Sequence, residues 1–585
     1  MKRIAVIDRD RCKAPEKCDY ICMKVCPVEK NNLEIFKILQ DKKPSIDESL
    51  CIGCGICVKK CPYNAIIIIN LTKEPEDKPV FQYGPNTFRL YRLPIIKEGQ
   101  IIGVVGRNGM GKSTAINIIA GLLRPNFGDY NKKWEDKEII REFRGTELQK
   151  YFEKLYNNEV KISYKPQNIL QVRNMIKNLT VKEFLSKVIK DLDKVSEEFG
   201  IKNLLDKKIE NLSGGELQKI LYIFSIYKEH NLLLIDEITN YLDIYERLRI
   251  LDSLNELKGK DTIIIIDHDL LFLDSISDIV HIVYGVQKAY GVFSYPIGTK
   301  EGINQYLDGF IKRENLKIRD KPIRLDVKSY TDVKLGDKIV EWENINVNLG
   351  GFVLKSGKGY IRKNEIIGII GRNGIGKTTF IKTLAGELKY EGYVSKNITI
   401  SYKPQFFDFS QYNITVDQFL SKFNEKYKSD YKDYLPDLNI SDLLDRELNT
   451  LSGGEGQTVY TFATLIKDAD LYLLDEPFAN LDIEQRLVLS KFIRDIIKSK
   501  EKACLIVDHD LIFLNWISDS LLVFLGEPGK EGFVTGPYEN KEGLNIFLKD
   551  IGITMRTDEE TKRPRINKRG SRLDLIQKEK GIYFG

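Results

Sequence analysis

Residues 106–114 read G-R-N-G-M-G-K-S-T, and residues 371–379 read G-R-N-G-I-G-K-T-T. Each stretch follows a β-like apolar run, and each opens an apolar helical segment, at Ala115 to Leu122 and at Phe380 to Leu388. A glycine-rich loop between a strand and a helix can turn its backbone N–H groups inward as an anion cradle. Two such loops in the same context predict that the chain binds two nucleoside triphosphates.

Both loops offer a bound ATP or ADP the same groups. Lys112 and Lys377 would reach the β- and γ-phosphates, and Ser113 and Thr378 would bind Mg²⁺. The predicted nucleotide-binding residues of the loops are Gly106, Asn108, Gly109, Gly111, Lys112, Ser113 and Thr114, and Gly371, Asn373, Gly374, Gly376, Lys377, Thr378 and Thr379.

Length and composition narrow the class of protein. The 585 residues suggest about four domains, and 42% hydrophobic with 30% charged residues is the composition of a soluble globular protein. The longest apolar runs, Ala65–Ile69 and Ile263–Ile266, fall well short of the roughly 18 residues of a membrane span, and the N-terminus lacks an apolar signal segment. We therefore expect a cytoplasmic protein without a membrane partner.

Eight of the nine cysteines fall within the first 61 residues, which indicates metal ligands. The second four have the spacing C-x2-C-x2-C-x3-C followed by Pro62, as in bacterial ferredoxins, where three thiolates hold one cubane and the fourth serves the other. Crossed ligation of this kind predicts two 4Fe–4S clusters, held by Cys12, Cys18, Cys22 and Cys61 and by Cys51, Cys54, Cys57 and Cys26. Disulfides are disfavoured in a cytosolic chain. Two four-thiolate zinc sites remain the alternative, and Cys504 is expected to be core.

The markers behind each phosphate loop repeat in the same order. In the first half they are Y-K-P-Q at 164–167, L-S-G-G-E at 212–216, D-E at 236–237, L-D at 242–243 and D-H-D at 267–269. The second half repeats them at 402–405, 451–455, 475–476, 481–482 and 508–510. The two signature serines and the two D-E glutamates are each 239 positions apart, and the two D-H-D histidines are 241 apart. The chain is therefore a tandem duplication.

This order of markers resembles the ATP-binding cassette (ABC) ATPases, in which L-S-G-G-E is the signature. In that family two cassettes close head to tail, and each ATP lies between one phosphate loop and the other cassette's signature. The resemblance implies that Lys112 and Ser113 face the second signature, and that Lys377 and Thr378 face the first. The signature and D-loop residues it implies are Ser213, Gly214, Gly215, Ser452, Gly453, Gly454, Asp243 and Asp482.

The residues at the strand ends fit ATP hydrolysis. Asp236 and Asp475 suit Mg²⁺ or its waters, and the next residues, Glu237 and Glu476, suit a base that positions and deprotonates the attacking water. His268 and His509 are expected to sense the γ-phosphate, and Gln167 and Gln405 to touch Mg²⁺ and water. Tyr83 and Phe352 are candidates for the aromatic residue under the adenine, although each could equally be a core aromatic.

The two halves are not equal. Ile238 follows the first glutamate where Pro477 follows the second, and the signatures continue as Leu217-Gln218-Lys219 and as Gly456-Gln457-Thr458. Thr458 replaces the basic residue of the family pattern, so the two sites are expected to differ in turnover.

The first half also carries 27 extra residues, since Lys112 and Gln167 are 55 positions apart and Lys377 and Gln405 only 28. The apolar residues Ile139, Ile140 and Phe143, a break at Gly145, a capping box from Thr146 to Gln149, and then Leu148, Tyr151, Phe152 and Leu155 predict a helical hairpin. Its mixed charge leaves open a docking element or a solvated helix pair.

Two basic segments flank the second half. One is Lys312–Arg324, and the other has six cations and no acid: Lys562, Arg563, Arg565, Lys568, Arg569 and Arg572. A charge run is usually a solvated face. The Pro, Asn and Ile among these charges favour an ordered hinge strap instead.

The whole architecture resembles the ABC-E class, also called RNase L inhibitor. That resemblance implies two diamagnetic 4Fe–4S clusters and a clamp that splits ribosomes into subunits after termination or rescue, beside a release factor or its rescue paralogue. It also implies that the protein stays on the small subunit, where it links recycling to initiation factors, with basic hinges and hairpin meeting rRNA phosphates. The Lys- and Ile-rich composition suits an archaeal member.

The predicted fold class is α/β and α+β multidomain, a ferredoxin-like Fe–S domain with two P-loop ABC ATPase domains head to tail in one monomer. The predicted domains are residues 1–72 (cluster domain), 80–310 (first cassette, with the insertion at 131–156), 311–337 (hinge), 338–555 (second cassette) and 556–585 (basic hinge segment). A transporter ATPase, a redox enzyme and an RNA-related Fe–S ATPase are the alternatives.

Overall fold

A small cysteine-rich domain, two α/β domains built alike and a C-terminal hairpin follow one another along the chain. We describe a computed structural model. It describes residues 2–7, 11–31, 33–39, 41–47, 50–71, 78–319, 321–324, 336–395, 398–405, 407–409, 411–559, 561 and 563–585. Most of the predicted linker Thr72–Pro79, much of the predicted hinge and Lys562 lie outside the described residues.

In its described residues, the cysteine-rich domain has two antiparallel strand pairs and three short helices. Ile7 pairs with Ile66 at one end of the longer strand pair, and Phe36 pairs with Ile46 in the shorter one. The elements are β1 (Lys2–Ile7), α1 (Ile21–Val25), α2 (Pro27–Lys30), β2 (Phe36–Ile38), β3 (Pro44–Ile46), α3 (Ile56–Lys60) and β4 (Ile66–Leu71).

The first cassette is a mixed sheet with helices on both faces, in the strand order β5-β6-β12-β11-β7-β10-β9-β8 with β13 against β11. Its strands are β5 (Phe81–Gln82), β6 (Arg89–Tyr91), β7 (Ile101–Gly106), β8 (Ile162–Lys165), β9 (Leu232–Asp236), β10 (Thr262–Ile266), β11 (Ile279–Val286), β12 (Tyr290–Phe293) and β13 (Ile297–Gly298). Its helices are α4 (Lys112–Ile119), α5 (Asp136–Glu142), α6 (Glu147–Tyr156), α7 (Ile169–Ile176), α8 (Val181–Leu185), α9 (Leu192–Glu198), α10 (Gly214–Tyr227), α11 (Ile244–Leu257), α12 (Leu270–Ile276) and α13 (Thr299–Asp308).

A short hairpin, β14 (Phe310–Ile311) with β15 (Leu316–Lys317), leads to the second cassette. Its strand order is β18-β16-β17-β25-β24-β19-β23-β22-β21, with β20 against β16. The strands are β16 (Lys338–Asn348), β17 (Val353–Ser356), β18 (Gly359–Arg362), β19 (Ile366–Gly371), β20 (Glu391–Val394), β21 (Ile400–Lys403), β22 (Leu471–Asp475), β23 (Ala503–Val507), β24 (Ser520–Glu527) and β25 (Glu531–Glu539). The helices are α14 (Lys377–Leu384), α15 (Val416–Ser421), α16 (Tyr427–Asp430), α17 (Tyr434–Asp437), α18 (Gly453–Ile466), α19 (Ile483–Ser499), α20 (Leu511–Ile517) and α21 (Asn540–Asp550).

The central strands of each cassette are parallel and wholly buried. Strands β7, β9 and β10, and their counterparts β19, β22 and β23, are near-continuous apolar runs because helices cover both faces of the sheet. In such sheets ligands bind beyond the carboxyl ends of the strands. The phosphate loops, the D-E pairs and the D-H-D motifs all follow these ends, so the fold gathers them at one edge.

Two local predictions need correction. The helices after the phosphate loops end at Ile119 and Leu384, earlier than expected, because Gly121 and Gly386 take positive φ angles there. The insertion is the predicted helical hairpin, formed by α5 and α6, but its second helix has no capping box. Thr146 Oγ1 instead donates to the Phe143 carbonyl, and the capping box lies on α5, between Glu135 and Glu138.

The C-terminal segment is a hairpin, β26 (Met555–Thr557) with β27 (Pro564–Ile566), followed by α22 (Arg572–Glu579). The second cassette was predicted to end at residue 555, but Met555 begins strand β26, which pairs with β27 of the C-terminal segment. Arg563 is fully buried and Arg565 largely so, and both bind Asp274 on α12 of the first cassette. The sequence led us to expect that these two arginines contact RNA phosphates, and the structure corrects this because both are occupied by Asp274. Lys568, Arg569 and Arg572 are exposed.

Candidate functional site

Each phosphate loop holds its lysine in place with its own carbonyl groups. Lys112 Nζ donates to the carbonyls of Gly106 at 2.7 Å and Arg107 at 3.0 Å. Lys377 Nζ makes the equivalent bonds at 2.9 Å to Gly371 and Arg372. Burial lowers the pKa of both lysines, and nearby carboxylates offset part of that effect. Each loop therefore presents one restrained, buried ammonium group, which suits a phosphate.

An aromatic ring lies against each phosphate loop. A Cβ on Gly111 would come within 2.5 Å of Phe88, and a Cβ on Gly376 within 2.8 Å of Phe352, so both positions require glycine for the close approach. Phe88 is thus the counterpart of Phe352 and was missed in the sequence. Tyr83 is 54% exposed, and its hydroxyl lies 3.0 Å from Thr114 Oγ1. Its contact with adenine stays a prediction.

The predicted Mg²⁺ ligands meet in pairs at the strand ends. Ser113 Oγ donates to Asp236 Oδ2 at 3.1 Å, and Thr378 Oγ1 donates to Asp475 Oδ2 at 2.9 Å. Asp475 Oδ1 is buried without a hydrogen-bond partner. Burial, and then repulsion from Glu476, raises the pKa of Asp475 to about 6. An orphaned carboxylate oxygen beside a hydroxyl fits Mg²⁺, a hard cation that prefers oxygen ligands.

The candidate general bases are held by the same set of partners in both cassettes. Gln167 Nε2 donates to Glu237 Oε1, and Gln405 Nε2 to Glu476 Oε1, each at 2.6 Å. Both glutamates have positive φ angles, 51° and 50°. Non-glycine residues avoid this conformation, and where it persists it often marks a functional site. The predicted glutamine and glutamate therefore meet in each cassette.

Two buried lysines complete this arrangement and had no assigned role. Lys165 Nζ donates to the carbonyls of Asp236 and Glu237, both at 2.9 Å. Lys403 Nζ makes the matching bonds to Asp475 and Glu476 at 2.7 and 3.1 Å. Burial lowers the pKa of each lysine to about 8. Each lysine therefore holds in place the strained backbone between the aspartate that is a candidate Mg²⁺ ligand and the glutamate that is the candidate base.

The two histidines differ in what they contact. His509 Nε2 lies 3.0 Å from Glu476 Oε1, whereas His268 Nε2 lies 3.6 Å from Glu237 Oε1 and 2.9 Å from Asn108 Oδ1. Burial, reinforced by Asp236, raises the pKa of Glu237 to about 7. Burial also acts to raise the pKa of Glu476, but His509 and the lysines outweigh it, so the net pKa is lowered. The two sites therefore differ in geometry and in charge.

The cassettes face each other head to tail through their D-loops. Asp482 Oδ2 accepts a hydrogen bond at 2.8 Å from the Asn108 backbone N–H in the first phosphate loop. Asp243 accepts the equivalent bond from Asn373 in the second loop. A Cβ on Gly215 would lie 3.8 Å from Asn373 Nδ2, which places the first signature beside the second phosphate loop. This is the predicted intramolecular pairing.

Both signatures begin a 14-residue helix with a serine–glutamate capping box. Gln218 Nε2 donates to the carbonyls of Glu237 and Ile238 at 2.6 and 3.0 Å, and Gln457 donates to that of Glu476. Lys219 forms an ion pair with Glu246 at 2.7 Å, whereas Thr458 Oγ1 donates to the Gly454 carbonyl in its own helix at 3.1 Å. The first signature helix is thereby bound to α11 by an ion pair that Thr458 cannot form.

The eight N-terminal cysteines fall into two spatial groups. Cys12, Cys18, Cys22 and Cys61 line one cavity together with Ile7, Ala14 and Ile66. Burial, with repulsion from the other three thiols, raises the pKa of Cys22 to about 12. Burial likewise raises the pKa of Cys57 to about 11, and its thiol neighbours are Cys51, Cys54 and Cys26.

This arrangement fits iron–sulfur ligation. All nine cysteines are free thiols, and Cys504 is fully buried in β23, as expected of a core residue. Among the described residues, no three His, Cys, Asp or Glu side chains are close enough to hold a single ion. A cubane is larger than one ion, and four thiols around a cavity suit it. Cysteines bind iron as thiolates, and the positive charge of the iron compensates for the cost of burying these charged groups.

Family models match most of the functional regions of the chain. The family model described as ABC transporter matches residues 95–240 and 354–479. A 4Fe-4S binding domain matches residues 44–67, and a possible Fer4-like domain in RNase L inhibitor matches residues 3–34. The chain is therefore an ATP-hydrolysing enzyme of the ABC type with a 4Fe–4S-binding domain. No helix in the described parts of the chain is long and apolar enough to cross a membrane.

Relatives match the chain over its whole length. It is 45% identical over 590 residues to an uncharacterized ABC transporter ATP-binding protein of Methanocaldococcus jannaschii, covering 100% of this chain and 97% of that one. It is 39% identical over 600 residues to the translation initiation factor RLI1 of Saccharomyces cerevisiae, covering 100% and 98%. A solved structure described as a model of ribosome-bound archaeal Pelota and ABCE1 matches with a TM-score of 0.93 and 43% identity, over 100% of this chain and 99% of that one.

Proposed function

The chain belongs to the RNase L inhibitor family of ABC ATPases, and on that premise we propose that it is an ATP-driven ribosome recycling factor. It splits ribosomes into subunits after termination or rescue, together with a release factor or its rescue paralogue, and remains on the small subunit. The observation that carries this proposal is the match of the entire chain to a protein solved on the ribosome beside Pelota.

The work is done by closure of the two cassettes. ATP bound by one phosphate loop completes its site only when the other cassette's signature and D-loop arrive, so binding energy favours the closed clamp. Asn108 and Asn373 already contact the opposite D-loops. Closure moves the cluster domain, which pushes on the release factor between the subunits, and hydrolysis reopens the clamp.

Hydrolysis uses the groups at the strand ends. Ser113 with Asp236, and Thr378 with Asp475, would hold Mg²⁺, which would supply positive charge to the phosphates in the transition state. Glu237 and Glu476 accept the proton of the attacking water, and Gln167 and Gln405 hold each base in position. The signature helix N-terminus of the opposite cassette supplies further N–H groups to the γ-phosphate.

Contacts with the ribosome are electrostatic. Lys568, Arg569 and Arg572 are the exposed cations of the C-terminal segment, and they meet rRNA phosphates without reading base sequence. Arg563 and Arg565 act instead as the internal anchor of that segment on Asp274. The protein works in the cytoplasm as a monomer, in contact with initiation factors once the subunits have parted.

The cluster domain holds two 4Fe–4S clusters by crossed ligation. Cys12, Cys18, Cys22 and Cys61 would hold one cluster, and Cys51, Cys54, Cys57 and Cys26 the other, in agreement with the two groups of neighbouring thiols. Crossing ties the two halves of the domain together through Cys26 and Cys61.

Anaerobically purified protein should contain about eight iron atoms and eight acid-labile sulfides per chain. Cys26→Ser should lower the iron content to about four, because one thiolate of the second cluster is lost. Cys504→Ser, which changes a buried cysteine of β23, is the matched control and should leave all eight. Iron, zinc and sulfide analysis decides the matter. About two zinc atoms per chain without iron would contradict the cluster assignment.

A ribosome-splitting assay tests the proposed function. Purified ribosomes are incubated with the protein, a release factor or its rescue paralogue, and a non-hydrolysable ATP analogue, and are then separated on a density gradient. The proposal expects the whole-ribosome peak to fall, the subunit peaks to rise, and the protein to sediment with the small subunit. Intact ribosomes under these conditions, or cosedimentation with added membranes instead, would rule the proposal out.

A further inference from the structure

The second cassette has an aromatic cluster directly behind its candidate catalytic glutamine. Phe407 follows Gln405 by two residues, and its ring stacks on Tyr460 of helix α18 at 4.9 Å between centroids and 22° between planes. Phe409 also stacks on Tyr460, at 5.9 Å and 29°. Helix α18 begins with the second signature. Gln405, Phe407 and Phe409 belong to what we call the Q-loop of this cassette, and the cluster therefore joins the Q-loop to the signature helix.

A glycine in that helix makes room for the cluster. A Cβ on Gly456 would lie 3.3 Å from Phe407 and 3.5 Å from Phe409, so any larger side chain would push the rings away. Glycine is unfavourable inside a helix. Its presence one turn into α18 thus has a reason in this close approach, which also accounts for its difference from Leu217 of the first cassette.

The first cassette fills the equivalent positions with aliphatic side chains. Ile169 corresponds to Phe407, Leu217 to Gly456 and Leu221 to Tyr460, counted from the glutamines and the signature serines. All three are buried in the apolar core. Aliphatic side chains repack by changing rotamers, whereas stacked rings on a glycine backbone have few alternatives. The two cassettes therefore join the segment after the glutamine to the signature helix with different side chains, stacked rings in the second and aliphatic groups in the first.

The position of the cluster connects the two ATP sites. Gln405 serves the site of Lys377, where it holds Glu476, and the Glu476 carbonyl also accepts a hydrogen bond from Gln457, the neighbour of Gly456. The signature at Ser452–Gly454 serves the opposite site, that of Lys112. A displacement of Phe407 or of Tyr460 should therefore change the position of groups at both ATP sites.

We propose that Phe407 and Tyr460, seated on Gly456, are positioning residues that make the second cassette's Q-loop and signature helix one rigid unit. They orient Gln405 and Glu476 at the Lys377 site and set the angle at which the signature meets the Lys112 site. The first cassette lacks the stacked rings and connects the equivalent segments through aliphatic side chains and a hydrogen bond from Arg173 to the Leu212 carbonyl. The inference concerns ATP hydrolysis and does not depend on what that hydrolysis drives.

The test exchanges the cluster for its counterpart. The triple variant Phe407→Ile, Gly456→Leu, Tyr460→Leu carries the aliphatic set of the first cassette and keeps the core filled. Ile169→Leu is the matched control in the first cassette. The measurements are the thermal unfolding midpoint, kcat for ATP, and photolabelling by 8-azido-ATP, with labelled peptides assigned to each cassette by mass spectrometry.

The proposal expects the triple variant to unfold near the wild-type temperature, with kcat lowered about 10- to 100-fold, as small displacements of catalytic groups commonly cause. Labelling of the first cassette should fall relative to the second, because the altered signature caps the Lys112 site. A folded triple variant with wild-type kcat and labelling would overturn the proposal. If the triple variant fails to fold, the same measurements on Phe407→Leu, with the same expected and contradicting outcomes, test the proposal. The Ile169→Leu control should match wild type in all three measurements.

Discussion

Replacing Glu476 by Gln lowers hydrolysis at its site by about 10²- to 10⁴-fold, the usual contribution of a general base. The amide keeps the shape of the carboxylate and can still accept the hydrogen bond from Gln405, but it cannot take the proton of the attacking water. The phosphate cradle around Lys377 is untouched, so ATP affinity should change less than threefold. ATP should then remain occluded in a closed clamp, measured as nucleotide retained through gel filtration.

Glu237→Gln should leave a residual rate of ATP turnover that differs from that of Glu476→Gln. His509 lies 3.0 Å from Glu476, whereas His268 lies 3.6 Å from Glu237 and is bonded to Asn108 instead. Glu531→Gln, an exposed glutamate on β25, is the control and should keep wild-type kcat. Equal turnover in the Glu237 and Glu476 variants would show that the differences at Ile238, Thr458 and the histidines have no kinetic effect.

The fold and the spatial grouping of the candidate site residues could be predicted because their determinants are local. A glycine-rich loop between a strand and a helix specifies its own geometry, and each D-E or D-H-D motif comes directly after an apolar strand. Parallel strands then bring their carboxyl ends to one edge. Asp236 meets Ser113, and Glu237 meets Gln167, without any further information from the sequence.

Partners distant in the chain could not be predicted in this way. Arg563 pairs with Asp274, 289 residues away, and a run of arginines gives no indication of which carboxylate each will meet. The sequence therefore indicated that Arg563 and Arg565 face RNA, where the structure has them bound to Asp274 of the first cassette. Phe88 was overlooked for a similar reason, since its role comes from the space above Gly111 and not from a motif.

The capping box predicted at Thr146 is absent for a different reason. Its hydroxyl donates to Phe143, which closes the turn before α6, and Gln149 accepts from Gly145. Threonine and glutamine three residues apart are compatible with both arrangements, because serine and threonine side chains bond to whichever local backbone group is free. Spacing alone cannot choose between a cap and a turn.

Removing residues 1–72 should abolish ribosome splitting while leaving ATP hydrolysis within about threefold of the full chain. The buried apolar residues of the cluster domain form a cluster of their own, from Ala5 to Ile66, and the described core clusters of the cassettes begin at Val80. An ion pair from Arg11 to the half-exposed Asp442 joins the domain to the second cassette at 3.3 Å. The core clusters of the second cassette include no residue of the cluster domain, so the cassettes should fold without this pair.

The truncated protein should still bind the small subunit, because the exposed cations of the C-terminal segment and the helical hairpin remain. Splitting should fail, since closure of the clamp no longer moves anything against the release factor. The measurement is subunit dissociation on a density gradient, with release factor and a non-hydrolysable ATP analogue. The control is Asp442→Asn in the full chain, which removes the ion pair but keeps the cluster domain, the proposed lever that pushes on the release factor. This variant should split ribosomes normally. Normal splitting by the truncated protein would mean that the cassettes and hinges alone separate the subunits, and that the cluster domain is not a lever.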